Sequence, residues 1–298
     1  MSDELLKIAG YAISETILGV VDRLVSVRPH KEALEGYIKE IQNSARPPME
    51  KAVLISNAKR DLKYAKNQWA IIGKAQGFLP EGFDCSKSDV NEEFLDRFME
   101  EAKFVSDEEV QFWWASVLAG EFERPGSAPS SLIRILVEMN KASAKAFEIL
   151  CNMYPTIIVY DGVKILRREK VEVIRDRGSD FLEKLNVNAN ILSELKTLGL
   201  IEMGSFTGYG IEGENVAFNY LAYGQEIYDI KNTNPRTLVV GDVIFTAVGQ
   251  RLAQYIKDEP IDGYIEYLKE NWQGVTFEET ATVRVETDEN GEIRLVRI

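Results

Sequence analysis

The side chains able to do chemistry in this chain are few and scattered. His30 is its single histidine, which excludes a multi-histidine metal site and leaves Ser–His or Cys–His catalysis dependent on one residue. It follows Pro29 at a predicted helix start, with Asp22 and Glu35 near it in sequence only, and is expected at the surface or in a cap. Cys85 and Cys151 have neither metal-ligand spacing nor a disulfide framework. Carboxylates are abundant, so pairs arise by chance. Glu108 and Glu109 suit the first turn of a helix, where the dipole favours negative charge. Glu121 and Glu123 gather with Arg124 at the turn Pro125-Gly126, where a polar site and a structural anchor are both possible. Glu121 is the acid of most interest, because it directly follows the small pair Ala119-Gly120. The glycine-rich run GSFTGYGIEG, 204–213, leads from strand to strand and lacks the helix N-terminus that a phosphate loop needs. It suits a wing or hairpin loop whose Phe206 and Tyr209 could touch a ligand or partner. These residues assign no catalytic group, metal or cofactor, and the chain is expected to be non-enzymatic.

The charge balance narrows the partners. The 298 residues hold 48 acidic and 35 basic side chains, a net of −13, which opposes nonspecific attraction to nucleic acid or anionic lipid. Residues 161–200 depart from this trend, with eight basic and seven acidic side chains. Arg167, Arg168, Lys170, Arg175 and Arg177 form a local basic cluster there. The helix predicted to enter a groove of DNA, 188–198, offers Asn188, Asn190, Ser193 and Lys196, while Glu194 repels phosphate. Nucleic-acid contact and simple packing both remain open for this part.

The elements that must position these residues divide the chain. Leu5–Val27 is apolar, but Lys7, Glu15, Asp22 and Arg23 interrupt it, each costing about 2.5–3.5 kcal/mol at mid-bilayer. Its apolar residues Leu5, Ile8, Ala12, Ile17, Val20, Val21 and Leu24 recur near helical spacing. The segment is therefore expected to be an amphipathic helix that docks on the body, pairs with another copy or lies on a membrane surface. A long helix from about Met49 to Gly77 follows the Arg46-Pro47-Pro48 turn, and 77–89 is a loop. Asn91–Lys103 is a helix, and Ser106 with Glu109 suggests a capping box. The next helix carries Trp113 and Trp114, about 100° apart, and stops at Pro125-Gly126. Pro129 then starts a helix that continues through Ile149.

After Cys151 the pattern changes to short strands and helices. A hairpin around Asp161-Gly162 precedes short helices at Phe181–Leu185 and Ala189–Leu198. Strands at 200–202, 216–223 and 243–248 follow, an order that suggests a winged helix. Helices at 250–257 and 264–272 and a terminal hairpin, 277–285 with 293–298, complete the chain. The expected fold is α+β, with regions 1–78 (helical), 79–153 (helical signature core), 154–260 (winged-helix-like) and 261–298 (helix and β-hairpin).

Three stretches carry a family resemblance. NQWAIIGKAQGFLP is followed by DVNEEFLDRFMEEAKFVSDEEVQFWWASVLAGEFERPGSAPSSLIRILVEMNKASAKAFEILCNM, with ILSELKTLGLIE and FTAVGQRLAQYI further on. Together they resemble a bacterial family of unknown function, over about two thirds of the chain and not over its first 65 residues. The resemblance implies a mostly helical core, a winged-helix-like end and a setting in defence against phage. Trp113, Trp114, Glu121, Arg124, Pro125 and Gly126 are its motif residues. The combined expectation is a cytoplasmic interaction or assembly protein that associates with itself or a protein partner. The alternatives are a winged-helix DNA-binding regulator and a peripheral membrane protein.

Overall fold

A computed structural model describes residues 31–160, 165–170, 181–204, 209–212, 219–224, 226–232, 237–241, 243–256, 259–272, 274–277, 283–287 and 293–297. The fold is α+β, helical in its first half and antiparallel β towards the C-terminus. It divides into two compact units, Met1–Ala144 and Lys145–Ile298. The Leu5–Val27 stripe and His30 lie outside the described residues.

In the first unit, α1 (Lys31–Asn43) and α2 (Pro48–Gln76) form a helical hairpin. Pro47 and Pro48 lack the N–H that helix interiors need, so they end one helix and begin the next. α3 (Glu92–Ala102) begins at Asn91, whose side chain accepts from the N–H of Phe94 at 3.1 Å. α4 (Glu108–Glu123) is apolar on nearly every side and is buried from Val110 to Phe122 except at Phe112. A helix with no polar face must sit at the centre of its unit. Both tryptophans are core: the Trp113 indole N–H donates to the Ala144 carbonyl at 3.1 Å, and Trp114 packs on Phe98 with centroids 4.8 Å apart.

Two expected features shift here. The cap of α4 is Asp107, not Ser106: its Oδ1 accepts from the N–H groups of Glu109 at 3.0 Å and Val110 at 3.4 Å. The helix after Pro129 is also two helices, α5 (Ser130–Glu138) and α6 (Lys141–Asn152). Met139 turns to extended geometry, and Asn140 Oδ1 accepts from the N–H groups of Ala142 and Ser143. The Ser143 hydroxyl in turn accepts from the Asn140 N–H, so a reciprocal cap restarts the chain.

The turn between α4 and α5 hangs on one buried carboxylate. Glu121 Oε1 accepts from the N–H of Gly126 at 2.6 Å, and Oε2 accepts from the N–H of Ala128 at 2.8 Å. Gly126 has φ +81, a left-handed conformation that suits glycine.

The second unit holds a five-stranded antiparallel sheet, ordered β2-β1-β5-β6-β9. Its strands are β1 (Thr156–Tyr160), β2 (Ile165–Lys170), β5 (Asn219–Tyr223), β6 (Glu226–Asn232) and β9 (Val275–Phe277). Three further antiparallel pairs are β3 (Ile201–Met203) with β8 (Val243–Phe245), β4 (Tyr209–Glu212) with β7 (Thr237–Gly241), and β10 (Val283–Thr287) with β11 (Ile293–Arg297). Phe277 therefore belongs to the large sheet rather than to the terminal hairpin. The helices are α7 (Phe181–Lys184), α8 (Ala189–Thr197), α9 (Ala247–Ala253) and α10 (Tyr264–Asn271).

α9 starts three residues earlier than its pattern suggests, because Thr246 caps it. The Thr246 hydroxyl accepts from the Gly249 N–H at 3.0 Å and donates to the Gly199 carbonyl at 2.6 Å. This seats α9 on the start of β3 so closely that a Cβ on Gly249 would lie 2.0 Å from the Leu200 carbonyl oxygen. Two tyrosines complete the packing: buried Tyr264 donates to the Met153 carbonyl at 3.1 Å, and half-buried Tyr223 to the Asn152 carbonyl at 2.8 Å.

Two substitutions test these supports by urea unfolding. Glu121→Ala leaves two N–H groups without an acceptor and is expected to cost about 2–4 kcal/mol, with Glu121→Gln losing about half as much. Gly249→Ala must displace the backbone at Leu200 and is expected to cost about 2–3 kcal/mol. A loss under about 0.5 kcal/mol at either position, as is usual for a plain surface site, would remove it as a support.

Candidate functional site

The first unit carries a groove of about 1100 Å³ between α2, α3 and α5. Its floor is Ala65, Gln68, Met99 and Ile133, and its apolar rim is Tyr64, Phe104 and Val137. Four cations line it (Arg60, Arg97, Lys103 and Arg134) together with four carboxylates (Asp61, Asp96, Glu100 and Glu101). Phe104 is 57% exposed and Val137 50% exposed, high for apolar side chains beside a packed core. A second concavity of about 520 Å³ shares Glu101, Phe104 and Val137 and continues past Trp114 to Lys141.

The helices hold this groove through backbone groups. The last carbonyls of a helix have no partner within it. At the end of α3, the Gln68 amide donates to the Met99 carbonyl at 2.8 Å, and the Asn67 amide donates to the Lys103 carbonyl at 2.8 Å. These bonds fix α3 against α2. The rim is ordered by ring contacts: Tyr64 meets Phe104 edge to face at 5.1 Å, and the Lys103 ammonium lies 5.5 Å from the Tyr64 centroid and 5.0 Å from that of Phe104. Lys103 also pairs with Glu100, and Arg60 with Asp61 at 3.1 Å. The result is a preorganised surface of mixed charge with an apolar edge, suited to binding an amphipathic segment.

The residues singled out in the sequence do not converge on one place. Glu121 and Gly126 meet in the α4–α5 turn, while Arg124 and Pro125 are exposed beside it. Trp113 and Trp114 are buried in the core, and Trp114 also borders the second concavity. Arg167, Arg168 and Lys170 lie on β2, in register with Val159, Ile158 and Thr156. They stand on β2, at the edge of the five-stranded sheet among the described residues. Lys196 is exposed on α8, and Tyr209 opens β4 opposite Gly241. Arg175, Arg177 and Phe206 lie outside the described residues.

The groove residues were missed in the sequence. Asn67 and Gln68 stand in the NQW stretch, where two adjacent amides directly before the apolar run Trp69-Ala70-Ile71-Ile72 were the available signal. Cys85 is buried, and burial, followed by the Asp84 charge, pushes its thiol up to about 11. Cys151 is also buried. Among the described residues no group of three or more His, Cys, Asp or Glu side chains could hold a metal ion, and no helix is long and apolar enough to cross a membrane.

Comparison with known proteins gives one match. Residues 56–269 match a family described as "Protein of unknown function (DUF2806)". No curated protein and no solved structure matches the chain. The matched span runs from the middle of α2 through most of α10 and includes the groove helices, the Glu121 turn and the Thr246–Gly249 cap. The chain belongs to this family of unknown function, DUF2806.

Proposed function

We propose that the chain acts by binding rather than by catalysis, and that the groove of the helical unit receives an apolar-faced helix from a protein. The observation that carries this reading is the exposed pair Phe104 and Val137 on the rim of a groove whose floor is core. Exposed apolar side chains next to a rigid, concave, mixed-charge surface are what helix-in-groove recognition uses. The equal numbers of opposite charges along the groove favour choice of partner over raw attraction.

The second unit supports a sensing or docking module. Its order α7, α8, β3, then β8 after an insertion that includes the β4–β7 pair, supports this reading by its likeness to a winged helix. Against a role in reading DNA, the exposed side of α8 is Ala189, Asn190, Ser193, Lys196 and Thr197, with a single cation. A packing or protein-docking role suits it better. The setting is the cytoplasm, and the family resemblance adds defence against phage.

The test is selection of displayed amphipathic helical peptides on the purified full chain. Peptides retained by the native chain are expected to bind Phe104→Glu and Val137→Glu at least tenfold more weakly, about 1.4 kcal/mol. Retention that ignores both substitutions would discard the groove as the site. Duplex DNA binding that falls steeply with salt and is lost in the double variant Arg167→Glu/Arg168→Glu would favour the regulator reading instead.

A further inference from the structure

The groove lies where the described chain begins. The connection between α1 and α2 is four residues long, so the two helices run side by side and antiparallel. The Lys51 ammonium donates to the Gln42 carbonyl at 2.8 Å across that hairpin. Ile38 and Ile41 of α1 and Leu54, Ile55, Ala58 and Leu62 of α2 are wholly or half covered. Counting back along both helices at equal rise from the Lys51–Gln42 bond places Lys31 level with about residue 62. Asp61 and Tyr64, on either side of that level, line the groove.

The described chain therefore begins level with the groove's end of α2. The apolar recurrence Leu5, Ile8, Ala12, Ile17, Val20, Val21, Leu24 ends seven residues short of Lys31 in sequence, within about 25 Å of extended chain. Such a short tether gives the stripe an effective concentration in the millimolar range at a nearby surface. The exposed side chains also lead there. On α2, Met49 is 79% and Val53 51% exposed, and at helical spacing they share a face with Arg60 and Tyr64.

Resting on the reading of the groove as a helix-docking site, we propose that its occupant is the chain's own Leu5–Val27 segment. Bound there, it covers Phe104 and Val137. Its Asp22 and Arg23, with Arg28 just beyond it in sequence, offer both signs to Arg60 and Asp61 at the mouth.

The experiment measures maleimide modification of Val137→Cys in the full chain. Cys85 and Cys151 are both buried and contribute only slow background, and Lys196→Cys on the second unit reports general exposure. With the native stripe, Val137→Cys is expected to react at least ten times more slowly than in the same chain carrying Ile17→Asp and Leu24→Asp. A synthetic peptide of residues 1–28 is expected to restore protection to that stripe variant, while the Lys196→Cys rate stays constant. The mass in solution is expected to be that of one chain. Equal rates with the native and substituted stripes would overturn the proposal. In that case, slowing by the displayed peptides selected above would leave the groove reading standing, and no slowing would end both. Protection that appears only with a doubled mass would assign the groove to a second copy's segment and overturn occupancy within one chain.

Discussion

The helical unit depends on a carboxylate that pairs with no cation among the described residues. Glu121 is buried, and its two oxygens are taken up by the N–H groups of Gly126 and Ala128. A polar group is tolerated in the interior when hydrogen bonds replace its lost hydration. The Gly120 carbonyl accepts from the N–H of Arg124 at 2.9 Å and from the Ser127 hydroxyl at 3.1 Å, so the last turn of α4 and the whole reversal close on each other. This reversal sets the direction in which α5 leaves, and α5 supplies Ile133, Arg134 and Val137 to the groove. A contact remote from the groove thus decides whether it has a third wall.

The same logic governs the opposite wall. α3 contributes Arg97, Met99 and Glu100, and its C-terminal end is tied to α2 by the Asn67 and Gln68 amides, which donate to the Lys103 and Met99 carbonyls. Amide side chains spend fewer degrees of freedom here than a lysine or arginine would, and they carry no charge to desolvate. The Phe104 ring then projects just past the helix end, held by Tyr64 and Lys103 instead of by burial. Its exposure follows from this arrangement: backbone bonds fix the helix end, so the aromatic ring is left free to serve a second contact.

What the sequence revealed and what it hid follow from the range of each interaction. Prolines at 47, 48 and 125 and the apolar run of α4 are local signals, and the elements they predict are present. The structural side of Glu121 was also legible, through its place after Ala119-Gly120 and before Pro125-Gly126. The break at Met139 was not, because Leu136, Val137 and Met139 continue an apolar pattern and the reciprocal Asn140–Ser143 cap resembles ordinary helix surface. β4, β6 and β7 were missed because EIYDIKN of β6 lacks strict alternation and the other two are short strands that contain glycine. Arg167, Arg168 and Lys170 were read as a basic cluster with no element assigned, and only their pairing with β1 places them on a strand. The groove was hidden more deeply: Phe104 and Val137 have the residue types of a core, and only the packing of α2, α3 and α5 leaves them uncovered.

Net charge gives the last constraint on how such a surface can be used. At −13 overall, the chain repels acidic macromolecules at a distance, and long-range steering favours basic ones. The groove does not share that bias, since its four cations match its four carboxylates. Within a Debye length of about 8 Å at physiological salt, a docking segment meets local pairs and not the field of the whole protein. Discrimination then rests on whether opposite signs and apolar side chains fall in register along the groove. A mismatched charge there loses water without gaining a partner. On the proposed reading, a neutral groove on an acidic protein is a selective surface, with Tyr64, Phe104 and Val137 offering apolar contact and the charges around them setting register.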